Sequence, residues 1–386
     1  MKNGWEPIRF DALCDMRREL WQPSDSLPEV YIALEHIDPG KFFARRRGSA
    51  EEVLSAKNHF KTDDVLYGKL RPYLDKAIVA TSTGICSTDI LVFTPKNGTP
   101  PFFLASLIHW QEFINHANRT THGVNHPRTS WEALRQFKRP LPLPPEQRKV
   151  AAVLATIRRA VELQEAILAN LRELKKSLMN RLFTHGLRGE RTKETDHGLV
   201  PRSWSVRVFS DYVTLQRGQD LRRSEFAEGE IPVIGATQII GYHDAANVKG
   251  PGVTVVRSGS SAGFAQFVKC DFWAHNVVLY VKDFHGNDPK YVSYQLNHID
   301  LSRFRAGVAV PTLNRNTFAS LTTGVPSLDE QFEIAHILST IDEKIAVHES
   351  KKSALHDLFK TTLNKLMTGA VRVADLDIET AGVEAA

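Results

Sequence analysis

Residues 141–157 read LPLPPEQRKVAAVLATI, and residues 325–341 read VPSLDEQFEIAHILSTI. A shift of 184 residues aligns 142–184 with 326–368 without a gap, and 14 of the 43 paired positions carry the same residue. Chance does not produce such an alignment, and self-similarity at a fixed spacing indicates a repeated structural unit. We therefore interpret the chain as a tandem duplication.

The repeated segments have the apolar spacing of long helices. A 3.5-residue apolar period, sustained over about five heptads, is typical of coiled coils. Start signals stand at Pro144-Pro145 and at Ser327 with Glu330, and stop signals at Gly186 and Gly369. We predict long helices over 142–185 and 326–370. The apolar positions are Val150, Leu154, Ile157, Val161, Leu168, Leu171, Leu178 and Leu182 in the first, and Ile334, Leu338, Ile341, Ile345, Leu355, Phe359 and Leu366 in the second.

The segments before the helices, residues 1–141 and 204–325, predict two globular domains. Short apolar runs such as 90–93 and 252–256 are punctuated by Pro, Gly and Asn, as strands bounded by turns are. Each segment also contains a helix-like stretch, so we interpret both as mixed domains. The two echo each other loosely: Trp5 and Phe10 match Trp204 and Phe209, and 65–68 match 255–258.

The order of the segments predicts how the helices run. We interpret residues 186–203 as a linker and residues 371–386 as a loosely held tail. Because the linker is short, the first helix has to end near the second domain, and a related second half then returns its helix toward the first domain. We predict an α+β fold, with two mixed α/β globular domains joined by two long antiparallel coiled-coil helices in a pseudo-twofold internal repeat.

Composition narrows the class of protein. Of 386 residues, 49 are Lys or Arg and 44 are Asp or Glu, a modest basic excess that permits a polyanionic partner without requiring one. Cys14, Cys86 and Cys270 are far apart and fit neither a disulfide framework nor a zinc site, so we expect a reducing cytoplasm. The densest apolar stretch, 102–110, is too short to span a bilayer.

Two motifs carry a resemblance to a known family. The lead into each helix, at 141–147 and 325–331, resembles the repeated motif of type I restriction-modification specificity subunits. Residues 66–73, LYGKLRPY, with Cys86-Ser87-Thr88-Asp89 after them, are similar to the target-recognition domains of that family. The resemblance covers nearly the whole chain in order. The second domain departs from it, with Arg257-Ser258-Gly259-Ser260 in place of 67–70.

The resemblance implies a specific function. Each globular domain would read one half of a bipartite and asymmetric double-stranded DNA sequence, and the helices would set the unread gap. The helix pair would also dock two DNA-adenine methylation subunits, to which ATP-dependent restriction subunits attach. The chain itself would be non-catalytic and bind no cofactor, while S-adenosylmethionine, ATP and Mg²⁺ would be bound by the partner subunits.

The candidate DNA contacts are hydrogen-bond donors in or beside polar, glycine-containing loops, which can reach phosphates or base edges. The competing interpretation is an ordinary solvated basic turn, and we favour a solvated face for 45–47, a run of three arginines. In the first domain the candidates are Tyr67, Lys69, Arg71, Arg119, Thr120, Thr121, His122 and Arg128. In the second domain they are Arg217, Gln219, Arg257, Ser258, Ser260, Arg305 and Arg315.

Other classes of protein remain open at this point. His122 and His126 are four residues apart, but Gly123 and Pro127 argue against a helix and we expect no metal site. We find no phosphate loop, dinucleotide fingerprint or adenine-methyltransferase motif. The alternatives are a DNA methyltransferase or nuclease with an unrecognised active site, and a coiled-coil scaffold with no role on DNA.

Overall fold

The computed structural model describes residues 5–23, 25–26, 28, 30–307 and 311–380. The beginning of the predicted domain 1–141 and the end of the predicted tail therefore lie outside the described residues. Two compact units divide the chain. Unit 1 holds residues 1–165 and 350–386, and unit 2 holds residues 166–349.

Unit 1 is built on short strands in its described residues. Its two four-stranded sheets have the orders β2-β9-β6-β7 and β3-β5-β8-β4, and β1 pairs with β10. Neighbouring strands are antiparallel except for β4 and β8, which are parallel. The strands are β1 (Glu6–Arg9), β2 (Cys14–Met16), β3 (Leu20–Trp21), β4 (Tyr31–Ile32), β5 (Lys57–Phe60), β6 (Val65–Gly68), β7 (Ala77–Val79), β8 (Gly84–Cys86), β9 (Ile90–Pro95) and β10 (Lys138–Leu141).

The helices of unit 1 cover its first sheet. They are α1 (Pro101–Ile108), α2 (Gln111–Arg119) and α3 (Trp131–Leu134), followed by the first part of the long helix α4 (Pro144–His185). All seven residues of α1 after Pro101 are buried, which its apolar sequence FFLASLI allows. The Phe10 ring meets the rings of Phe93 and Phe113 at centroid distances of 5.3 and 4.9 Å, at the centre of the core.

Unit 2 repeats this arrangement. The sheet β14-β20-β17-β18 has the order of β2-β9-β6-β7, the pair β13-β23 corresponds to β1-β10, and β15 pairs in parallel with β19 as β4 does with β8. The strands are β11 (Thr192–Thr195), β12 (Gly198–Pro201), β13 (Ser205–Val208), β14 (Thr214–Arg217), β15 (Ile231–Gly235), β16 (Gln238–His243), β17 (Gly252–Val256), β18 (Ala265–Val268), β19 (Trp273–Ala274), β20 (Val278–Asp283), β21 (Arg305–Ala306), β22 (Thr312–Leu313) and β23 (Thr322–Val325). The helices are α5 (Phe209–Tyr212), α6 (Pro289–Ile299) and the long α7 (Leu328–Met367).

One difference from the sequence prediction lies between the first long helix and the second domain. We interpreted 186–203 only as a linker, whereas β11 and β12 form an antiparallel hairpin within it. The hairpin is anchored because the Asp196 carboxylate accepts hydrogen bonds from the backbone N–H and the hydroxyl of Thr322, both at 2.8 Å.

The two long helices lie side by side within each unit. In unit 2, Lys175 of α4 forms an ion pair with Asp342 of α7 at 2.6 Å, and Arg172 pairs with Glu349. The partner number falls as the α4 number rises, so the helices are antiparallel. The predicted seam residues of both helices are buried or half-buried, as a coiled-coil seam requires.

Each globular domain packs against both helices of its own unit. In unit 1 the core includes Val150 and Leu154 of α4 together with Phe359 and Leu363 of α7. In unit 2 it includes the other ends, with Leu182 of α4 and Ile334 and Leu338 of α7. The predicted fold class, α+β with two long helices, is confirmed. No described helix combines the length and apolarity needed to cross a membrane.

The repeated Pro-x-x-x-Glu-Gln motif has a structural role in both halves. The side-chain amide of Gln147 donates to the carbonyl of Pro142 at 2.8 Å, and that of Gln331 donates to Pro326 at 3.2 Å. Each bond ties the start of a long helix to the strand before it. At their ends, Gly186 and Gly369 have φ of 66° and 67°, the left-handed conformation that stops a helix.

The start of α7 differs in part from its prediction. The Glu330 N–H donates to the Ser327 hydroxyl at 3.4 Å, which is one half of the predicted capping box. The Glu330 carboxylate does not complete the box among the described contacts, because it accepts from the Leu187 N–H at 3.4 Å instead.

Candidate nucleic-acid interface

The first candidate surface of unit 1 is assembled from the residues that follow β6 and from the loop between α2 and α3. The Lys69 N–H donates to the carbonyl of Asp89 at 2.9 Å, and the Lys69 carbonyl accepts from Thr129 at 3.1 Å. The Arg71 N–H donates to Pro127 at 2.8 Å. We call residues 69–71 and 121–129 the strand-end cluster of unit 1.

The side chains of this cluster surround one carboxylate. Arg128 donates from Nε and Nη2 to the two oxygens of Asp89, at 2.9 and 3.0 Å. This hydrogen bonding lowers the pKa of Asp89, and the charges of Arg128, Lys69 and His126 add to the effect. With one anion among these cations, the cluster is basic. Guanidinium and ammonium groups in such a loop can bind phosphates or the acceptor edges of bases.

The other candidates of the first domain occupy different positions. Arg119 and His122 are exposed. The Thr120 hydroxyl lies 3.0 Å from the His116 carbonyl, and the Thr121 hydroxyl donates to the Asn118 carbonyl at 2.9 Å. Both hydroxyls therefore bind backbone carbonyls at the end of α2. Tyr67 is only 3% exposed and packs against Phe93, so its ring belongs to the core and positions the residues that follow β6.

Unit 2 has the same backbone arrangement at the corresponding place. The Arg257 N–H donates to Val277 at 2.9 Å, the Arg257 carbonyl accepts from Leu313 at 2.7 Å, and the Gly259 N–H donates to Pro311 at 3.0 Å. These bonds reproduce, one for one, those of Lys69 and Arg71. We call residues 257–260 and 311–313 the strand-end cluster of unit 2.

This equivalence corrects the loose alignment of the two domains. The sequence echo placed Arg257 opposite Tyr67, whereas the hydrogen bonds place it opposite Lys69, two residues further on. The strand registers agree with this alignment, because β6 pairs Tyr67 with Leu91 and β17 pairs the equivalent Val255 with the equivalent Leu279. The error arises because insertions between the domains shift each segment differently, so a short apolar match does not fix the register.

The electrostatics of the unit 2 cluster differ from those of unit 1. The positions of Asp89 and Arg128 are taken by Val277 and Thr312. Arg217 at the end of β14 approaches Arg257, and the pKa of Arg257 is lowered by burial and then by the Arg217 charge. The Arg257 Nε is buried and donates no hydrogen bond within the described part of the chain. Two arginines with like charge and an unused donor favour binding of an anion.

Two further candidates of the second domain are Arg305 and Gln219. Arg305 donates from Nη1 to the Ser260 carbonyl at 3.0 Å, and β21, which contains Arg305, pairs with β22 next to Ser258. Gln219 is exposed, and its carbonyl accepts from the indole of Trp273 at 3.3 Å. The structure therefore brings Arg257, Ser258, Ser260 and Arg305 together, with Arg217 close by.

Arg315 and the arginine run are held by other contacts. Arg315 donates from Nη1 to the Leu215 carbonyl at 2.6 Å, so it braces β14. In the arginine run, Arg45 pairs with Glu165 and Arg46 with Asp38, both at 2.6 Å.

Asp89 was not among the candidates predicted from the sequence, although its carboxylate organises the unit 1 cluster. The sequence feature that could have indicated Asp89 is its place in the Cys86–Asp89 motif, which carries part of the family resemblance. Among the described residues, no group of three or more metal-ligating side chains could hold a metal ion.

The long helices expose apolar side chains at repeat-related positions. Leu163 and Val347 are equivalent and are 58% and 53% exposed, while Leu174 and Leu358 are equivalent and are 48% and 49% exposed. Unit 1 contains Leu163 and Leu358, and unit 2 contains Val347 and Leu174. Each unit therefore presents one member of each pair, outside the buried seam.

Comparison with protein families gives a match in the second half of the chain. Residues 201–356 match the family model described as the type I restriction modification DNA specificity domain. This match takes in the unit 2 cluster and the first part of α7. It confirms, over the second half of the chain, the resemblance drawn from the sequence motifs.

Known relatives agree with this class over more of the chain. The type I restriction enzyme EcoDI specificity subunit of Escherichia coli is 29% identical over 201 residues, which cover 50% of this chain and 43% of that subunit. This alignment thus spans less than half of the EcoDI subunit. The putative type I restriction enzyme MjaX specificity subunit of Methanocaldococcus jannaschii is 23% identical over 384 residues, covering 91% of this chain and 89% of that subunit.

Solved structures agree in fold. The S subunit of a type I restriction-modification system from M. genitalium aligns with a TM-score of 0.66 at 14% identity, covering 95% of this chain and 98% of that chain. A chain from a study of complex assembly and conformational transition of the type I R-M system aligns with a TM-score of 0.57 at 16% identity, covering 96% and 99%. At these identities the agreement concerns the fold.

Proposed function

We propose that this chain is the DNA-specificity subunit of a type I restriction-modification complex, with one half of a bipartite site read by each globular domain. The observation that carries the proposal is the pair of strand-end clusters. Both have the same backbone hydrogen bonds, both present basic side chains, and they differ in those side chains. A duplicated scaffold with different contact residues suits two different half-sites.

The side chains of the two clusters support an asymmetric target. Around Lys69, unit 1 offers a carboxylate and a guanidinium that can accept from and donate to base edges. Around Arg257, unit 2 offers a hydroxyl, an apolar side chain and a second arginine. Guanidinium groups favour the acceptor edge of guanine, whereas a carboxylate favours the amino group of cytosine. Different donor patterns therefore lead us to expect different bases in the two halves.

The exposed apolar pairs support docking of two copies of one partner. Leu163 with Val347, and Leu174 with Leu358, give each unit an equivalent apolar face on its helices. We propose that two adenine-methylation subunits bind there, that restriction subunits join through them, and that the paired helices set the unread gap. The partners would hold S-adenosylmethionine, ATP and Mg²⁺ and perform the chemistry in the cytoplasm, while this chain binds no cofactor.

DNA selection at several salt concentrations tests the central part of the proposal. The chain is assembled with adenine-methylation subunits from its host and presented with a randomised DNA library. We expect enrichment of one bipartite sequence and a steep loss of affinity with salt, because phosphate neutralisation releases counterions. A complex without sequence preference at any salt concentration would contradict it.

A methyl-transfer assay tests the division of labour. The selected DNA and labelled S-adenosylmethionine are mixed with the isolated chain, with the methylation subunits alone, or with the complex. We expect transfer to the selected site only with the complex. Transfer by the isolated chain would instead identify it as a methyltransferase.

A further inference from the structure

A carboxylate at the start of α4 holds the C-terminal segment of the chain in unit 1. The Glu146 oxygens accept from Nε and Nη2 of Arg372, both at 2.7 Å, and from the Trp5 indole at 3.0 Å. The Arg372 guanidinium also lies 5.0 Å from the centroid of the Trp5 ring. Burial raises the pKa of Glu146, but the hydrogen bonds from Arg372 and Trp5 outweigh it, so the pKa is lowered.

The segment after Arg372 is bound as well. Lys149 donates to the carbonyls of Ala374 and Leu376, at 2.6 and 2.8 Å. Residues 372–376 therefore lie in a groove of unit 1, on the side of α4 that carries Glu146 and Lys149. This corrects the expectation that the whole tail is loosely held.

The tandem repeat gives unit 2 the same groove with different surroundings. Trp204 and Glu330 stand at the positions of Trp5 and Glu146, and Arg188 stands at the position of Arg372. Trp204 is only 2% exposed, and its buried indole N–H donates no hydrogen bond among the described residues. Arg188 lines the groove, but no ion pair joins it to Glu330 within the described part of the chain.

The groove of unit 2 is large and acidic. It has a volume of about 1000 Å³, and its lining includes Asp329, Glu330, Glu333 and the exposed ring of Phe332. The residue equivalent to Lys149 is Glu333, so the charge at this position is reversed. In unit 1, Lys149 donates to backbone carbonyls of the segment that carries Arg372. In unit 2, Glu333 offers a carboxylate instead, which accepts hydrogen bonds.

We propose that the unit 2 groove binds an extended segment of a protein partner that carries an arginine followed by a second basic residue. The arginine would take the place that Arg372 has in unit 1, with its guanidinium on Glu330. The second basic residue would face Glu333, and the apolar residue between them would contact Phe332. This inference does not depend on DNA recognition.

Peptide binding to the full-length chain tests the proposal. The probe is a fluorescent peptide AVRVKAK, and the comparison peptides are AVRVADL, the sequence of residues 370–376, and AVKVKAK. We expect AVRVKAK to bind most tightly. Replacing its arginine by lysine removes the bidentate pair and should weaken binding by about tenfold or more.

Two variants locate the peptide on the chain. Glu330→Gln should weaken AVRVKAK binding by about tenfold or more, since a charge-assisted hydrogen bond is lost. Glu333→Lys copies the charge of Lys149, and should reverse the preference so that AVRVADL binds better than AVRVKAK. The matched control is Glu343→Gln, an exposed glutamate of the same helix outside the groove lining, which should change binding less than about twofold.

The results that would overturn the proposal are distinct. No binding of AVRVKAK at millimolar peptide, or equal binding by Glu330→Gln and the unchanged chain, rules out this occupant. Loss of binding in Glu146→Gln but not in Glu330→Gln would show that the peptide only exchanges with the tail in unit 1. Thermal unfolding of each variant checks the fold, and the reversal expected of Glu333→Lys is independent of whether Glu330→Gln folds.

Discussion

The strand-end clusters of the two units share a backbone and differ in charge. In unit 1, Arg128 is held by Asp89, so one cation near Lys69 is already paired. In unit 2 the equivalent positions hold the apolar Val277 and the hydroxyl-bearing Thr312. The pKa of Arg257 is lowered by burial and then by the charge of another arginine, Arg217. Under the proposed function, the duplicated fold would fix where DNA contacts are presented, and a few side chains would determine which bases are contacted.

The difference has an energetic consequence. An arginine that is paired with a carboxylate has to keep or exchange that partner when it binds DNA. The net free energy that it contributes to DNA binding is therefore small. Two neighbouring arginines without a carboxylate gain more, because an anion relieves their mutual repulsion. We therefore expect unit 2 to contribute more to the affinity for DNA. The contribution of unit 1 should depend more on the ion pair within its own cluster.

The largest effect is expected from removing both arginines of unit 2. Arg217→Ala with Arg257→Ala should reduce specific binding of the assembled complex by about 2–6 kcal/mol, since each base-edge contact contributes about 1–3 kcal/mol. Titration of the selected DNA measures this loss. Arg207→Ala is the control, because Arg207 is an exposed arginine of β13 outside the unit 2 cluster. Equal losses in the control and the double variant would remove Arg217 and Arg257 from the interface.

A smaller loss is expected for the corresponding change in unit 1. Lys69→Ala with Arg71→Ala should reduce affinity by about 1–3 kcal/mol in total, which is the contribution of one base-edge pair. The loss should be uniform across DNA sequences if the two side chains touch phosphate. Binding to the selected site and to sites altered in one half separates these results. A folded variant with unchanged binding would place both residues on a solvated face and would reverse the comparison.

Acid should destabilise unit 2 through a buried histidine. His298 stacks on Phe183 with ring centroids 4.9 Å apart, and burial lowers its pKa to about 4. The unfolded chain binds a proton near pH 6.5. The stability contributed by the neutral ring is therefore complete above pH 6.5, falls as the pH drops, and is lost by about pH 4.

The measurement compares unfolding at pH 7 and pH 5. Because the unfolded chain gains a proton in this range and the folded ring does not, His298→Gln should narrow the difference in unfolding free energy by about 2 kcal/mol. The exposed His336→Gln variant is the control. If His298→Gln and the unchanged chain lose equal stability between pH 7 and 5, the ring is not held neutral in the fold.

The smallest effect tests the pairing in unit 1 directly. Asp89→Asn removes the charge that holds Arg128 and makes the cluster more like that of unit 2. We expect affinity for non-specific DNA to rise by about 0.3–1 kcal/mol, since the pair is largely exposed. Filter retention at low and high salt measures this change. Weaker non-specific binding would mean that Asp89 is needed mainly to shape the loop.

Local sequence patterns predicted the long helices and their seam because a heptad repeat reports burial along a single helix. The same patterns could not predict that Tyr67 packs in the core or that Arg372 binds Glu146. They also could not predict that Arg257, and not the residue two positions later, is the equivalent of Lys69. Each of these depends on residues far apart in the chain, and on insertions that change the register between the two domains. The hairpin of β11 and β12 was missed because β11 is entirely polar and the four residues of β12 show no apolar alternation.

Exchange of one domain tests the central claim most directly. Residues 1–141 are replaced by the corresponding domain of a relative with a known target, and methylated adenines are mapped across the genome of a host that expresses the complex. The proposal predicts a new sequence in one half of the site, with the other half unchanged. A change in both halves together, or in neither, would contradict independent reading by the two domains.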